Sequence, residues 1–310
     1  MLDVRRSRLA LPHILLLVTL AFWVALPLRH ASAAGTCDIT TGYPNLQGRD
    51  LSGCDLSYVN LTNANLANAN LSNADLTGAT LFYADLTNAN LTNANLTIAL
   101  AYYAQFEDAN LTRANLDRTN LANANLPNAN LTDANLSSAN LTATNLDGAF
   151  LTGTTLTYAN LTGAYLHRVT LVSSNLDHAN LTDAFMAVAN LLNAHLTNAN
   201  LTGASLHSAN LQTADLTSAD LISADLSYAN LTGANLQSAN LTSAKLINTN
   251  LTQANLQYAT LSHANLSFAN LTLANLSGTT RIGLIWFSTI CPDRTNSNQD
   301  GGTCKGHGFK

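Results

Sequence analysis

The chain has 310 residues, of which only 10% are charged and 6% aromatic, with four cysteines and a formal net charge of −5. So few ionisable side chains leave an enzyme reading without residues to rest on, and a chain this rich in small polar residues would be disordered unless a strict pattern ordered it. One pattern runs through most of the length and leaves no room for a hidden second domain.

Taken in order, Met1 to Leu28 reads as an export signal. Arg5, Arg6 and Arg8 precede an apolar run from Leu9 to Leu28, interrupted only by Pro12, His13, Thr19 and Pro27. Ala31-Ser32-Ala33 has the A-x-A form of a cleavage site, which makes residues 1–33 a signal peptide cut before Ala34 and the protein exported, secreted or held in the cell envelope. The alternative is an anchor by the uncleaved segment, since about twenty apolar residues just span a bilayer. A lipid anchor on Cys37 is disfavoured, because Ala34-Gly35-Thr36 is a poor match to the Leu-containing box of such sites. Residues 34–45 are then an N-terminal cap.

From Leu46 to Leu276 leucine takes every fifth position, 47 positions from which only Ala101, Phe106 and Met186 depart, with no insertion. The unit is a small residue, Asn or Asp, Leu, Thr or Ser, and a free fifth position, as in Ala64-Asn65-Leu66-Ala67-Asn68. On an α-helix five residues advance about 500°, so the leucines would scatter around the axis. On a flat strand an odd spacing would send successive leucines to opposite faces. The chain must therefore reset every five residues. Three extended residues place the small residue and Leu inward with Asn/Asp outward, and the next two turn a corner. The product is a solenoid with an Ala and Leu core.

This unit resembles the A(D/N)LXX repeat of the pentapeptide-repeat family from about Leu46 to Leu276. The resemblance implies an all-β fold, a right-handed quadrilateral β-helix with four pentapeptides per coil. About twelve coils at roughly 4.8 Å each would make a rod about 55 Å long. Phe82/Tyr102, Tyr83/Tyr103 and Tyr165/Phe185 are each twenty residues apart, so each pair is expected to stack on successive coils. Ile98 to Asp108 is the irregular stretch: small Ala101 and large Phe106 offset each other in the core, and Leu100, where Asn is expected, marks a local bulge. The array is taken as 46–280.

Residues 281–310 form a lid and tail. Arg281 to Phe287, with Trp286, reads as an apolar cover over the last coil. The cysteines sit only at the ends of the array, and their sequence distances favour Cys37–Cys54 and Cys291–Cys304, one disulfide at each exposed end. Free thiols or a zinc site are the alternatives, but no C-x-x-C or nearby His pair supports metal. Asn296-x-Asn298-x-Asp300-Gly301 only faintly matches a calcium loop, because His307 stands where a bidentate Glu is needed, and a plain polar loop is preferred.

No catalytic, cofactor-binding or metal site is legible, and no cofactor is expected. His167, His178, His195, His207 and His263 fall at outward positions. The many Asn-x-Thr matches, such as Asn60-Leu61-Thr62, follow automatically from the repeat. A non-enzymatic exported scaffold that meets an envelope protein or glycan is the leading reading; its oligomeric state is open, and it meets the membrane only if the N-terminal segment stays uncleaved. A second comes from the family resemblance, in which some members mimic DNA and occupy gyrase. The array from Asn45 to Thr280 carries 14 acidic and 5 basic side chains, a net −9, against about 32 charges on duplex DNA of that length. The imitation is poor, and export would separate it from gyrase, so nucleic acid is a disfavoured partner class. A third is ordered-water or ice binding through the column Thr92, Thr112, Thr132, Thr152, resumed at Thr232, Thr252 and Thr272 and broken by Val172, Leu192 and Gln212. The interaction patch is placed at Tyr58, Phe82, Tyr83, Tyr102 and Tyr103, because exposed aromatics are enriched at interfaces and sugar-binding surfaces.

These readings predict the covalent form of the protein. Intact mass of the exported chain is expected to match a start at Ala34 and to rise on reduction by the hydrogens of two disulfides. A full-length, cell-associated chain with four free thiols would refute it.

Overall fold

The structure, a computed structural model, describes residues 37–300, 303 and 304; the signal segment and the A-x-A site lie outside the described residues. Over the array each pentapeptide does the same thing. The Asn/Asp position pairs in parallel with the residue twenty places on, from Asn45↔Asn65 to Asn270↔Ile290, so four pentapeptides make a coil with four flat faces. Leu and the small residue point inward and are buried throughout. Ala101, Phe106 and Met186 are buried as fully as the leucines they replace.

The unit around Leu91 shows why five residues close. Leu91 N–H donates to Asn110 O on the next coil at 2.7 Å, and Asn95 N–H to Ala74 O on the coil before at 2.9 Å. Between them Ala94 N–H returns to Leu91 O at 2.9 Å to close a tight turn, while Asn93 N–H reaches Thr112 O at 3.0 Å. The remaining donor, Thr92 N–H, is met by the side chain of Asn90, whose Oδ1 accepts it at 3.1 Å. That same oxygen accepts the Thr92 hydroxyl at 2.6 Å, and the Asn90 amide donates to Asn70 Oδ1 at 3.1 Å. Asn and Asp are therefore half-buried in ladders rather than simply outward.

The second corner residue always has positive φ, from Gly48 through Ser288. This is the left-handed region that Gly and Asn enter easily and β-branched residues resist. Asn, Ser and Gly fill many of these corners, yet Ile98, Val188 and Thr213 occupy it too. At Gly78 and Gly278 small size has a second cause. A Cβ there would stand 2.5 Å from the ring of Tyr58 or Tyr258, which lies across the glycine from the preceding coil.

The expected bulge at Leu100 does not occur. Leu100 keeps its parallel pairings with Thr80 and Asn120, because the strand is held by main-chain bonds that any side chain permits. The lid also differs from expectation: Arg281 to Phe287 continues the coil, with Ile285 paired to Asn265. Leu284 and Trp286 pack on the core, whereas Ile282, Ile285 and Phe287 are exposed. Where small inward positions carry Thr, the buried hydroxyl is satisfied by a leucine carbonyl, as from Thr119 to Leu96 O at 2.7 Å.

Both ends are closed. Cys37–Cys54 and Cys291–Cys304 form the two disulfides, with no free cysteine among the described residues. At the first end Asp38 accepts the Thr40 N–H at 2.8 Å and the Thr40 hydroxyl at 2.5 Å, and Arg49 donates to the Asp38 carbonyl. At the other, Ile290 pairs antiparallel with Asn296 ahead of a 3-10 turn at Ser297–Asp300.

Leu136→Asn is expected to destabilise by several kcal/mol, since it removes buried aliphatic volume and leaves an amide among leucines and alanines. Ser138→Asn, at an exposed corner of positive φ, is expected to be neutral or better. Val188→Asn, relieving a β-branched residue at φ 60°, is expected to stabilise by about 1 kcal/mol. Urea midpoints of the three variants in any other order would contradict the assignment of core and corner.

The Thr40 and Thr41 hydroxyls and N–H groups hold the Asp38 carboxyl far below its ordinary value of 3.8, and the Ser52 hydroxyl and N–H lower Asp50. A carboxyl depressed in the folded state contributes stability above its unfolded pKa and loses that contribution as pH falls through its folded value. The gap in melting temperature between the parent and Asp38→Asn is therefore expected to be full at neutral pH and to close only in strong acid. A gap independent of pH would show that the Asp38 charge is not what ties down the cap.

Candidate functional site

The face whose strand centres are Asn60, Thr80, Leu100 and Asn120 departs most from the repeat in the first coils. Its position in the ladder brings one corner column, Tyr58, Gly78 and Ile98, to one side of Leu100. The other column, with Phe82–Tyr83 and Tyr102–Tyr103, lies on the opposite side. Tyr58 is 71% exposed, Tyr83 56% and Tyr103 42%, while Phe82 and Tyr102 are half-buried.

Four of the rings form one assembly. Tyr83 and Tyr103 stack with centroids 5.2 Å apart and planes 9° apart. Phe82 and Tyr102 are not a second stack of that kind: their centroids are 3.9 Å apart but the planes tilt by 39°, and Tyr102 meets Tyr103 edge to face at 5.7 Å. First-corner side chains hug the coil and second-corner side chains project, so the two ring columns cannot share one orientation. Tyr58 makes no ring contact among the described residues and covers Gly78 instead.

The sequence reading missed Ile98 and Leu100 as members of this face. Both are exposed, and both would have been found by writing the chain in rows of twenty. Leu100 has a polar cost as well, because it removes the carboxamide that would accept the Tyr102 N–H. That donor has no protein acceptor among the described residues.

The other outward residues have local roles. His167 meets Asp147, His178 stacks on Tyr158 at 4.8 Å, and His207 meets Tyr228 edge to face at 5.2 Å. His263 lies over Gly283, and His195 takes a ladder position, paired with Asn175 and Asp215. Among the described residues no three His, Cys, Asp or Glu side chains are grouped to hold a metal ion. In the tail Asn296 Oδ1 accepts Asn298 N–H and Asn298 Oδ1 accepts Ser288 N–H, so both oxygens serve the loop itself. Hydroxyls of the threonine column, including Thr112, Thr132 and Thr252, donate to the Asn two residues earlier. The repeat itself thus accounts for the column.

A family model for pentapeptide repeats matches the chain in eight copies that together cover 45–97, 104–171, 174–212 and 214–280. Among solved structures, the chain is similar to HetL of the cyanobacterium Nostoc sp. strain PCC 7120, a pentapeptide repeat protein involved in heterocyst differentiation regulation. The identity is 31% over 83% of this chain and 95% of that one, with a TM-score of 0.37. Rfr23 from the cyanobacterium Cyanothece 51142 is 39% identical over 30% of this chain and 63% of its own, with a TM-score of 0.30. QnrB1, a plasmid-mediated fluoroquinolone resistance protein, is 20% identical over 50% of this chain and 88% of its own, with a TM-score of 0.32. No curated protein matches the chain. With the repeat model matching most of its length and each matched segment folding into coils of four pentapeptides, the chain belongs to the pentapeptide-repeat family.

Proposed function

We propose that the protein is a non-enzymatic exported scaffold that binds an envelope protein or glycan through the aromatic face of its first coils. The observation that carries this reading is the gathering of Tyr58, Phe82, Tyr83, Ile98, Leu100, Tyr102 and Tyr103 on one flat face. The remainder of the rod is coated mainly with Asn, Asp, Thr and Ser. Exposed apolar side chains gain nothing in water, and a contiguous set of them is the usual mark of a contact surface. Rings already stacked on one another lose little freedom when a partner covers them, which favours affinity. The strand centres beneath, Thr80, Leu100 and Asn120, are paired in parallel from coil to coil, which keeps the face rigid.

Export is supported by the A-x-A sequence and by two disulfides, which persist in oxidising compartments. Among the described residues no helix is long and apolar enough to cross a membrane.

The reading is tested by screening the exported protein against envelope proteins and glycans, in parallel with Tyr83→Ala and Tyr103→Ala combined. Loss of both outer rings is expected to weaken a captured interaction by about 2 kcal/mol or more, near thirtyfold. A double variant that keeps every interaction at parental affinity would make the rings structural and remove the binding role from this face.

A further inference from the structure

Residues that break the repeat gather a second time on the adjacent face, further along the rod. Tyr165 and Phe185 stand in the column that usually holds Asn, and Asp147, His167 and Arg168 occupy the corner beside it. The two rings stack with centroids 5.2 Å apart and planes 9° apart. Phe185 therefore covers the face of Tyr165 turned toward the following coil. The opposite face of Tyr165 is turned to the preceding coil, where its ladder partner is the shorter Asn145. That step in side-chain length opens a shallow cleft of about 370 Å³, lined by Asn145, Asp147, Tyr165 and His167, a size within the range of small-ligand sites.

The polar groups at its edge follow from the same substitution. One coil earlier Asn145 Oδ1 accepts the Asp147 N–H at 3.1 Å. Tyr165 has no such oxygen, so the His167 N–H has no protein acceptor among the described residues and is a donor at the cleft. Asp147 takes His167 Nδ1 on one carboxylate oxygen at 3.1 Å, and Arg168 lies 3.5 Å from the other. Asp147 and Arg168 are 41% and 63% exposed in their side chains, which leaves both open to a ligand.

We propose that this cleft binds one pyranose ring of a neutral saccharide. The C–H face of the sugar lies on the free face of Tyr165, whose negative π-cloud attracts the slightly positive C–H hydrogens. One hydroxyl oxygen accepts the His167 N–H, and another hydroxyl donates to Asp147. Asp147 and Arg168 offset each other at 3.5 Å, so the cleft has no net charge with which to favour an ionic ligand. The site lies on a different face from Tyr83 and Tyr103, and neither depends on the other.

The test uses the exported protein with soluble neutral tetrasaccharides of glucose, N-acetylglucosamine, mannose and galactose, followed by saturation-transfer NMR and calorimetry. At least one is expected to bind with a Kd of about 1 mM or tighter. Tyr165→Asn restores the residue that the repeat itself uses in this column, so the variant keeps the fold, and it is expected to weaken binding about tenfold. The combined Tyr83→Ala and Tyr103→Ala variant is expected to bind the saccharide as the parent does. The proposal is overturned if none of the four binds at about 10 mM, if Tyr165→Asn binds as tightly as the parent, or if a galacturonate oligomer binds more tightly than every neutral one.

Discussion

Each pentapeptide has five backbone N–H groups to satisfy, and the Asn or Asp side chain is what makes the number close. Four of the donors find carbonyls, three of them on neighbouring coils and one across the turn. The fifth, on the first corner residue, is out of reach of any carbonyl and is taken by the carboxamide or carboxylate two residues earlier. Because that oxygen belongs to the same unit, no repeat depends on a distant loop to finish its bonding. The amide end of Asn then bonds the preceding coil, as between Asn140 and Asn120 at 3.1 Å. A chain with little charge and few aromatics can in this way hold a long rod together, because the backbone needs almost nothing beyond the repeat.

The same accounting locates the places where the protein departs from its rule. At Leu100, Phe150, Tyr165 and Phe185 the oxygen is absent, and the N–H two residues later has no protein acceptor among the described residues. At His195 the loss is repaired, since Asp177 on the preceding coil accepts the Thr197 N–H at 2.8 Å. Locally unfavourable choices that persist without repair are expected where something other than folding keeps them. The bulky residues at the corners carry a similar cost. Tyr83 and Tyr103 hold positive φ, a conformation that an Asn would adopt with less strain.

Much of this fold was legible in the chain, and for a physical reason. A period of five leaves one buried leucine per unit, so direction in or out followed from counting, and the solenoid followed from the failure of helix and strand. The stacking of Tyr83 on Tyr103 and of Tyr165 on Phe185 followed from a spacing of twenty, though the tilt of Phe82 against Tyr102 did not, because it depends on how corner side chains leave the backbone. Leu100 was misread as a bulge since its side chain is wrong for the repeat while its main chain is not. The continuation of the coil through Ile285 was hidden for the same reason: the leucines stop before the hydrogen bonds do. The Tyr165 cleft was out of reach, because it is a gap between neighbours on successive coils rather than a property of any residue.

Twenty residues to a coil also fixes how such a gene can change length. Removing one pentapeptide leaves every hydrogen bond reformable, yet it turns all downstream side chains by a quarter-turn around the axis. Removing one between the aromatic face and the Tyr165 cleft would bring them onto one side, and inserting one would set them opposite. Loss or duplication of twenty residues changes only the distance between them. Azimuth and spacing along the rod are thus separately heritable, and a lineage can lengthen this protein in whole coils while keeping the directions in which its two surfaces look.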